Sequence, residues 1–160
     1  MQSVFTIIKN AVGNRGSDQM NNIIFKRIWQ DEDFYEIEVQ AQNKVISASA
    51  NFYVVDEDIA RLSKKLTNFP FGSNKEIVWE LPNIEGSPRE LSLRIFLKDK
   101  LGHVKIEIYM VLKNYDEPER YNCFFSVSTE IGVLNRFGQR LIGLNKPVIG
   151  KSVSMVELDF

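Results

Sequence analysis

The chain has 160 residues, 44% of them hydrophobic and 26% charged, with a formal net charge of −1. That length fits one domain with a full core, and the balance excludes an intrinsically disordered protein and a globally basic nucleic-acid binder. Cys123 is the only cysteine, so neither an internal disulfide nor a cysteine-rich zinc site is available.

No stretch approaches the ~18 apolar residues of a membrane span. The apolar run Val4-Phe5-Thr6-Ile7-Ile8 is too short for the apolar part of a signal peptide. A cytoplasmic protein without membrane contact is expected.

Residues 1–22 read as an arm, because Gly13, Gly16 and Asn21-Asn22 interrupt any period. Residues 23–29 form a short apolar strand. Tyr35, Ile37, Val39 and Ala41 then alternate with Glu36, Glu38, Gln40 and Gln42. After a polar turn, Ile46, Ala48, Ala50, Phe52 and Val54 alternate with Ser47, Ser49, Asn51 and Tyr53. Two period-two runs around a turn predict a β-hairpin with one apolar face.

Asp56 is read as an N-cap, and Ile59, Leu62 and Leu66 recur at helical spacing, which predicts a helix over 56–67. Strands are expected over 76–81, 91–97, 104–112 and 121–129. Thr129 is read as the cap of a second helix over 130–144, with Leu134, Phe137, Leu141 and Leu144 on one stripe. Val153, Met155 and Leu158 suggest a last short strand. The connections are hairpin-like, so the expected fold is α+β: a mostly antiparallel curved sheet of about six to eight strands with two helices on one face. The domain is expected to span 23–160.

The residues that carry chemistry elsewhere point to structure here. His103 is the only histidine and has no Ser or Cys partner in its local sequence. Cys123 shares a face with Phe125 and Val127, a core position rather than an electropositive nucleophile site. Glu36 and Glu38 lie on a strand's polar face, where a solvated carboxylate is poorly tuned for acid–base work. Asp31-Glu32-Asp33 lacks the glycine and terminal Glu spacing of a calcium loop. No catalytic residue, cofactor or metal site is expected.

Two features remain. Eight acids fall between Asp31 and Asp58 against Lys44 alone. Tyr53, Phe96, Tyr109 and Phe124 fall on the polar faces of their strands, where aromatics either are covered or anchor an interface. Base stacking on these rings is disfavoured, since Arg94 and Lys105 are the only bases on those outer faces. The candidate partner-binding residues are therefore Asp31, Glu32, Asp33, Glu36, Glu38, Tyr53 and Tyr109.

The order of elements carries a resemblance. A strand, a hairpin over 35–54, the helix opening on Asp56-Glu57-Asp58-Ile59, a hairpin over 91–112 and the run Asn122-Cys123-Phe124-Phe125-Ser126-Val127-Ser128-Thr129-Glu130 before a closing helix resemble small bacterial immunity-type proteins paired with wall-associated contact-dependent toxins. The resemblance covers about residues 23–144. It implies a single-domain, non-enzymatic protein that binds a toxin domain, and many such domains are nucleases with basic clefts. Two other classes stay open: a hydrolase-type enzyme built from distant acids such as Glu107 and Glu130, and a structural protein that forms a homodimer or larger homo-oligomer.

Overall fold

The computed structural model describes residues 6–9 (backbone only), 20–72, 75–113 and 116–157. Nine strands and two α-helices appear among them: β1 (Thr6–Lys9), β2 (Asn22–Gln30), β3 (Tyr35–Gln42), β4 (Ile46–Val54), α1 (Asp56–Asn68), β5 (Glu76–Leu81), β6 (Leu91–Leu97), β7 (His103–Lys113), β8 (Arg120–Glu130), α2 (Ile131–Leu141) and β9 (Ser152–Ser154). A 3₁₀ turn, Ile142–Asn145, extends α2. Of the expected arm, 6–9 pair with β4, while 1–5 and 10–19, Gly13 and Gly16 among them, lie outside the described residues. So does Leu158.

The α+β class, the antiparallel pairing and the two helices stand as expected. The strands, however, divide into two sheets, ordered β1-β4-β3-β2-β9 and β5-β6-β7-β8. The division falls at α1, which takes the chain out of the first sheet after β4. The last strand, β9, returns to the first sheet beside β2, pairing Phe25 with Val153.

Period-two alternation places the apolar side of each strand inward. Ile37, Val39 and Ala41 of β3 and Val104, Ile106, Ile108, Met110 and Leu112 of β7 are almost fully buried. The inner faces of both sheets and the two helices share one core. Within it, the Phe25 ring meets Trp79 at 6.2 Å and Phe137 edge-on at 6.0 Å, joining the first sheet, the second sheet and α2.

The helices cross closely. Ser63 Oγ donates to the Gly138 carbonyl at 2.6 Å, and a Cβ on Gly138 would stand 2.6 Å from the Thr67 amide nitrogen. Asn135 Nδ2 donates to the carbonyls of Leu66 and Phe69, both at 2.8 Å, and so satisfies the end of α1.

Both helix starts differ from expectation. Val55, not Asp56, is the N-cap of α1, because the Asp58 carboxylate reaches back and accepts the Val55 N–H at 3.0 Å. At α2, β8 runs through Thr129 to Glu130, which takes the N-cap position with extended backbone.

Candidate functional site

The β2–β3 hairpin carries the acids. Its tip is folded by Asp31, whose Oδ1 accepts the N–H groups of Asp33 at 2.8 Å and Phe34 at 2.9 Å. This side-chain turn leaves Glu32 and Asp33 exposed, with no ion pair among the described residues. Asp31, Glu32 and Asp33 line one side of a cleft of about 440 Å³, and Asp56 and Glu57 of α1 line it too. Both groups were legible as acids, but their meeting required the fold. Asn145 brings them together: its Oδ1 accepts the Tyr35 hydroxyl at 2.6 Å, and its Nδ2 donates to the Asp56 carbonyl at 3.0 Å.

The cleft floor contains one buried cation. The Arg27 guanidinium lies 3.7 Å from the Tyr35 ring centroid and donates to the Leu144 carbonyl at 2.8 Å. Burial pushes the Tyr35 hydroxyl well above the usual tyrosine range, against the weaker opposing pull of Arg27. The surrounding carboxylates do not converge on a point. Among the described residues, no group of three or more His, Cys, Asp or Glu is placed to hold a metal ion.

On the outer face of the same hairpin stands an aromatic cluster. Phe34 meets Tyr53 at 5.2 Å and Trp29 at 5.8 Å, and Trp29 meets Tyr53 at 6.2 Å, the two contacts to Tyr53 being edge-on. A β-bulge creates it. The register jumps from Arg27↔Ile37 to Trp29↔Glu36, so Ile28 is the extra residue and Trp29 turns over to the outer face. Simple alternation from Ile23 would have sent Trp29 inward, and that is why the cluster was not legible.

The bulge also corrects the reading of Glu36 as a solvated carboxylate. Trp29 and Tyr53 are its register partners on either side, and the residue is only 4% exposed. The Oε2 atom is cut off from solvent and has no hydrogen-bond partner among the described residues, and neither has Asn51 Oδ1 nearby on the same face. Glu38 is half-buried beside Lys26 and Asn51.

Tyr109 is not brought into this group. It lies on β7 of the second sheet, beneath the Arg89 guanidinium at 4.7 Å. Phe124 is its register partner and is well exposed. Of the candidate acids for an enzyme, Glu107 is held by Arg94 at 3.1 Å, and Glu130 stands opposite His103 in register. The two acids are thus separated by roughly 13 Å of strand, at ~3.3 Å per residue. His103 Nδ1, at the exposed start of β7, pairs with Asp99 Oδ2 of the preceding loop at 2.5 Å, and this contact lowers the Asp99 carboxyl below its ordinary range. Cys123 packs partly buried against the core, and burial raises its thiol.

Among the described residues, no helix is long and apolar enough to cross a membrane. No family model matches the chain, no curated protein matches it in sequence, and no solved structure matches it.

Proposed function

We propose that this chain is a non-enzymatic protein-binding domain that docks a basic partner on its β2–β3 hairpin. The supporting observation is the meeting of Asp31, Glu32, Asp33, Asp56 and Glu57 around one cleft, next to a half-exposed aromatic cluster. Unpaired acids at a rim raise the association rate and repel wrong partners, while aromatic rings carry the desolvated contact. The separation of Glu107 from Glu130, and the engagement of Glu107 by Arg94, favour binding over a two-carboxylate reaction. On this reading the partner is a toxin domain with a nuclease-type basic cleft, the class implied by the resemblance to immunity-type proteins.

The test is co-purification of wild type and Glu32→Lys/Asp33→Lys, followed by surface plasmon resonance on any shared partner at two salt concentrations. Asp31 is left in place because it holds the turn. A partner whose association slows on reversal, most at low salt, supports the reading. Equal association rates for both proteins at low salt defeat it.

A second reading is a homo-oligomer joined through β8, an edge strand of the second sheet that exposes Phe124. Light scattering that returns a monomer removes it.

A further inference from the structure

We propose that the outer face of the first sheet is a receptor for one arginine side chain of the protein partner, with Glu36 and Asn51 as acceptors and Trp29, Phe34 and Tyr53 as its aromatic wall. The proposal deepens the docking reading above and rests on it.

The starting point is two buried acceptors without donors. Among the described residues, Glu36 Oε2 and Asn51 Oδ1 are buried and have no hydrogen-bond partner. Asn51 pairs with Glu38, the residue two along from Glu36 on the same face, so the two acceptors are diagonal neighbours. A buried acceptor left unbonded is destabilising, and a buried carboxylate with no counter-ion more so. A donor arriving from outside would satisfy both acceptors. A cationic donor suits the site, because Glu36 pairs with no described basic side chain and the nearby hairpin tip is acidic. Even Lys26, beside Glu38 in register, forms no ion pair with it.

The second sheet shows the completed arrangement. There the Arg94 guanidinium lies 4.6 Å from the Phe96 ring centroid and donates to Glu107 at 3.1 Å and Glu76 at 2.5 Å. Ring, carboxylate and guanidinium form one unit. The first sheet presents the ring and the carboxylate, and the partner supplies the guanidinium. Arginine fits better than lysine, since its planar fork reaches two acceptors at once and stacks on aromatic faces. Entry requires rotation of Phe34, which is partly exposed.

The probe is N-acetyl-arginine amide, titrated into isotopically labelled protein while the two tryptophan indole N–H resonances are followed. N-acetyl-citrulline amide is the neutral isostere. Trp79 is an internal reference, because its indole is buried and donates to the Asp58 carbonyl at 3.0 Å. Saturable movement of the Trp29 signal with arginine, little with citrulline, and at least tenfold weaker binding by Glu36→Gln are expected. Glu107→Gln, on the other sheet, should bind as wild type does. The proposal is overturned if Trp29 does not move, if citrulline matches arginine, or if Glu36→Gln binds unchanged.

The two readings fail separately. A partner slowed by Glu32→Lys/Asp33→Lys but indifferent to Glu36→Gln removes the arginine receptor and leaves docking intact. A partner weakened by Glu36→Gln and indifferent to the reversals removes the steering hairpin instead.

Discussion

The outer faces of the two sheets are built from similar alternation and end in opposite states. On the second sheet, Arg94 joins Glu76 and Glu107, Arg89 joins Glu80, and Lys113 joins Glu90. The Arg94 hydrogen bond holds the Glu76 carboxyl below its usual range. On the first sheet, Glu36 and Asn51 have buried acceptors with no donor among the described residues, and Glu32 and Asp33 form no ion pair among them. One face satisfies its charges across strands, and the other leaves them for something else. Unmatched polarity marks a surface for binding more sharply than composition does, because composition counts the same acids on both faces.

The largest effect should come from breaking what holds the two faces to one core. Gly138→Ala places a methyl 2.6 Å from the Thr67 amide and 2.7 Å from Leu66 Cβ, contacts that backbone at a helix crossing cannot relieve cheaply. A loss of about 3 kcal/mol is expected in denaturant unfolding. A loss below about 1 kcal/mol would show that α1 and α2 slide freely. Next in size is a matched pair. Glu36→Leu should stabilise the domain by about 1–3 kcal/mol, since it removes an unsatisfied buried acceptor. Glu107→Leu should instead destabilise by up to about 1 kcal/mol, since it strips Arg94 of one partner at a partly exposed site. Equal signs for the two substitutions would erase the contrast between the faces.

Much of this fold could be read from the alternations. The span of β5, the faces of β3, β4, β6 and β7, and the stripes of both helices follow from period two and period 3.6. The split into two sheets could not, because strand pairing beyond a hairpin depends on where α1 sends the chain. The site was half legible. Asp31, Glu32 and Asp33 were visible as exposed acids, but the bulge at Ile28 has no sequence signature, so Trp29 and the burial of Glu36 were hidden. Tyr109 looked equivalent to Tyr53 because both alternate outward. Only pairing reveals that they belong to different sheets.

The cleft side of the hairpin can be probed by pH. The unfolded chain releases its tyrosine protons near pH ~10, whereas burial keeps Tyr35 protonated to higher pH in the folded protein. The unfolded state therefore loses its proton first. Stability contributed below that pH is lost as pH rises through it, by up to ~1.4 kcal/mol per unit. Tyr35→Phe should be about 1 kcal/mol less stable at neutral pH, from the lost hydrogen bond to Asn145. Above pH ~10 its stability should fall less steeply, by one group's contribution, so that the two curves converge. Parallel alkaline limbs in urea unfolding would mean that Tyr35 titrates freely.

The smallest effect on stability is the one that bears most directly on docking. Asp31 and its neighbours look alike in sequence but do different work in the turn. Asp31 accepts two backbone N–H groups, while Glu32 and Asp33 accept none among the described residues. Asp31→Ala should therefore cost about 1 kcal/mol, as the loss of a charge-assisted turn bond does. Glu32→Lys/Asp33→Lys should change stability by less than ~0.5 kcal/mol, being confined to exposed side chains. The same double reversal changes the hairpin by four charge units, two at each position. Exposed charges act over a screening length of ~8 Å at physiological ionic strength, so the reversal should slow association with a basic partner and leave dissociation nearly unchanged. The slowing should shrink as salt is raised. A reversal that accelerates dissociation instead would place Glu32 and Asp33 inside the desolvated contact rather than at its rim. The acidic tip would then be part of the anchor, with the aromatic wall beside it.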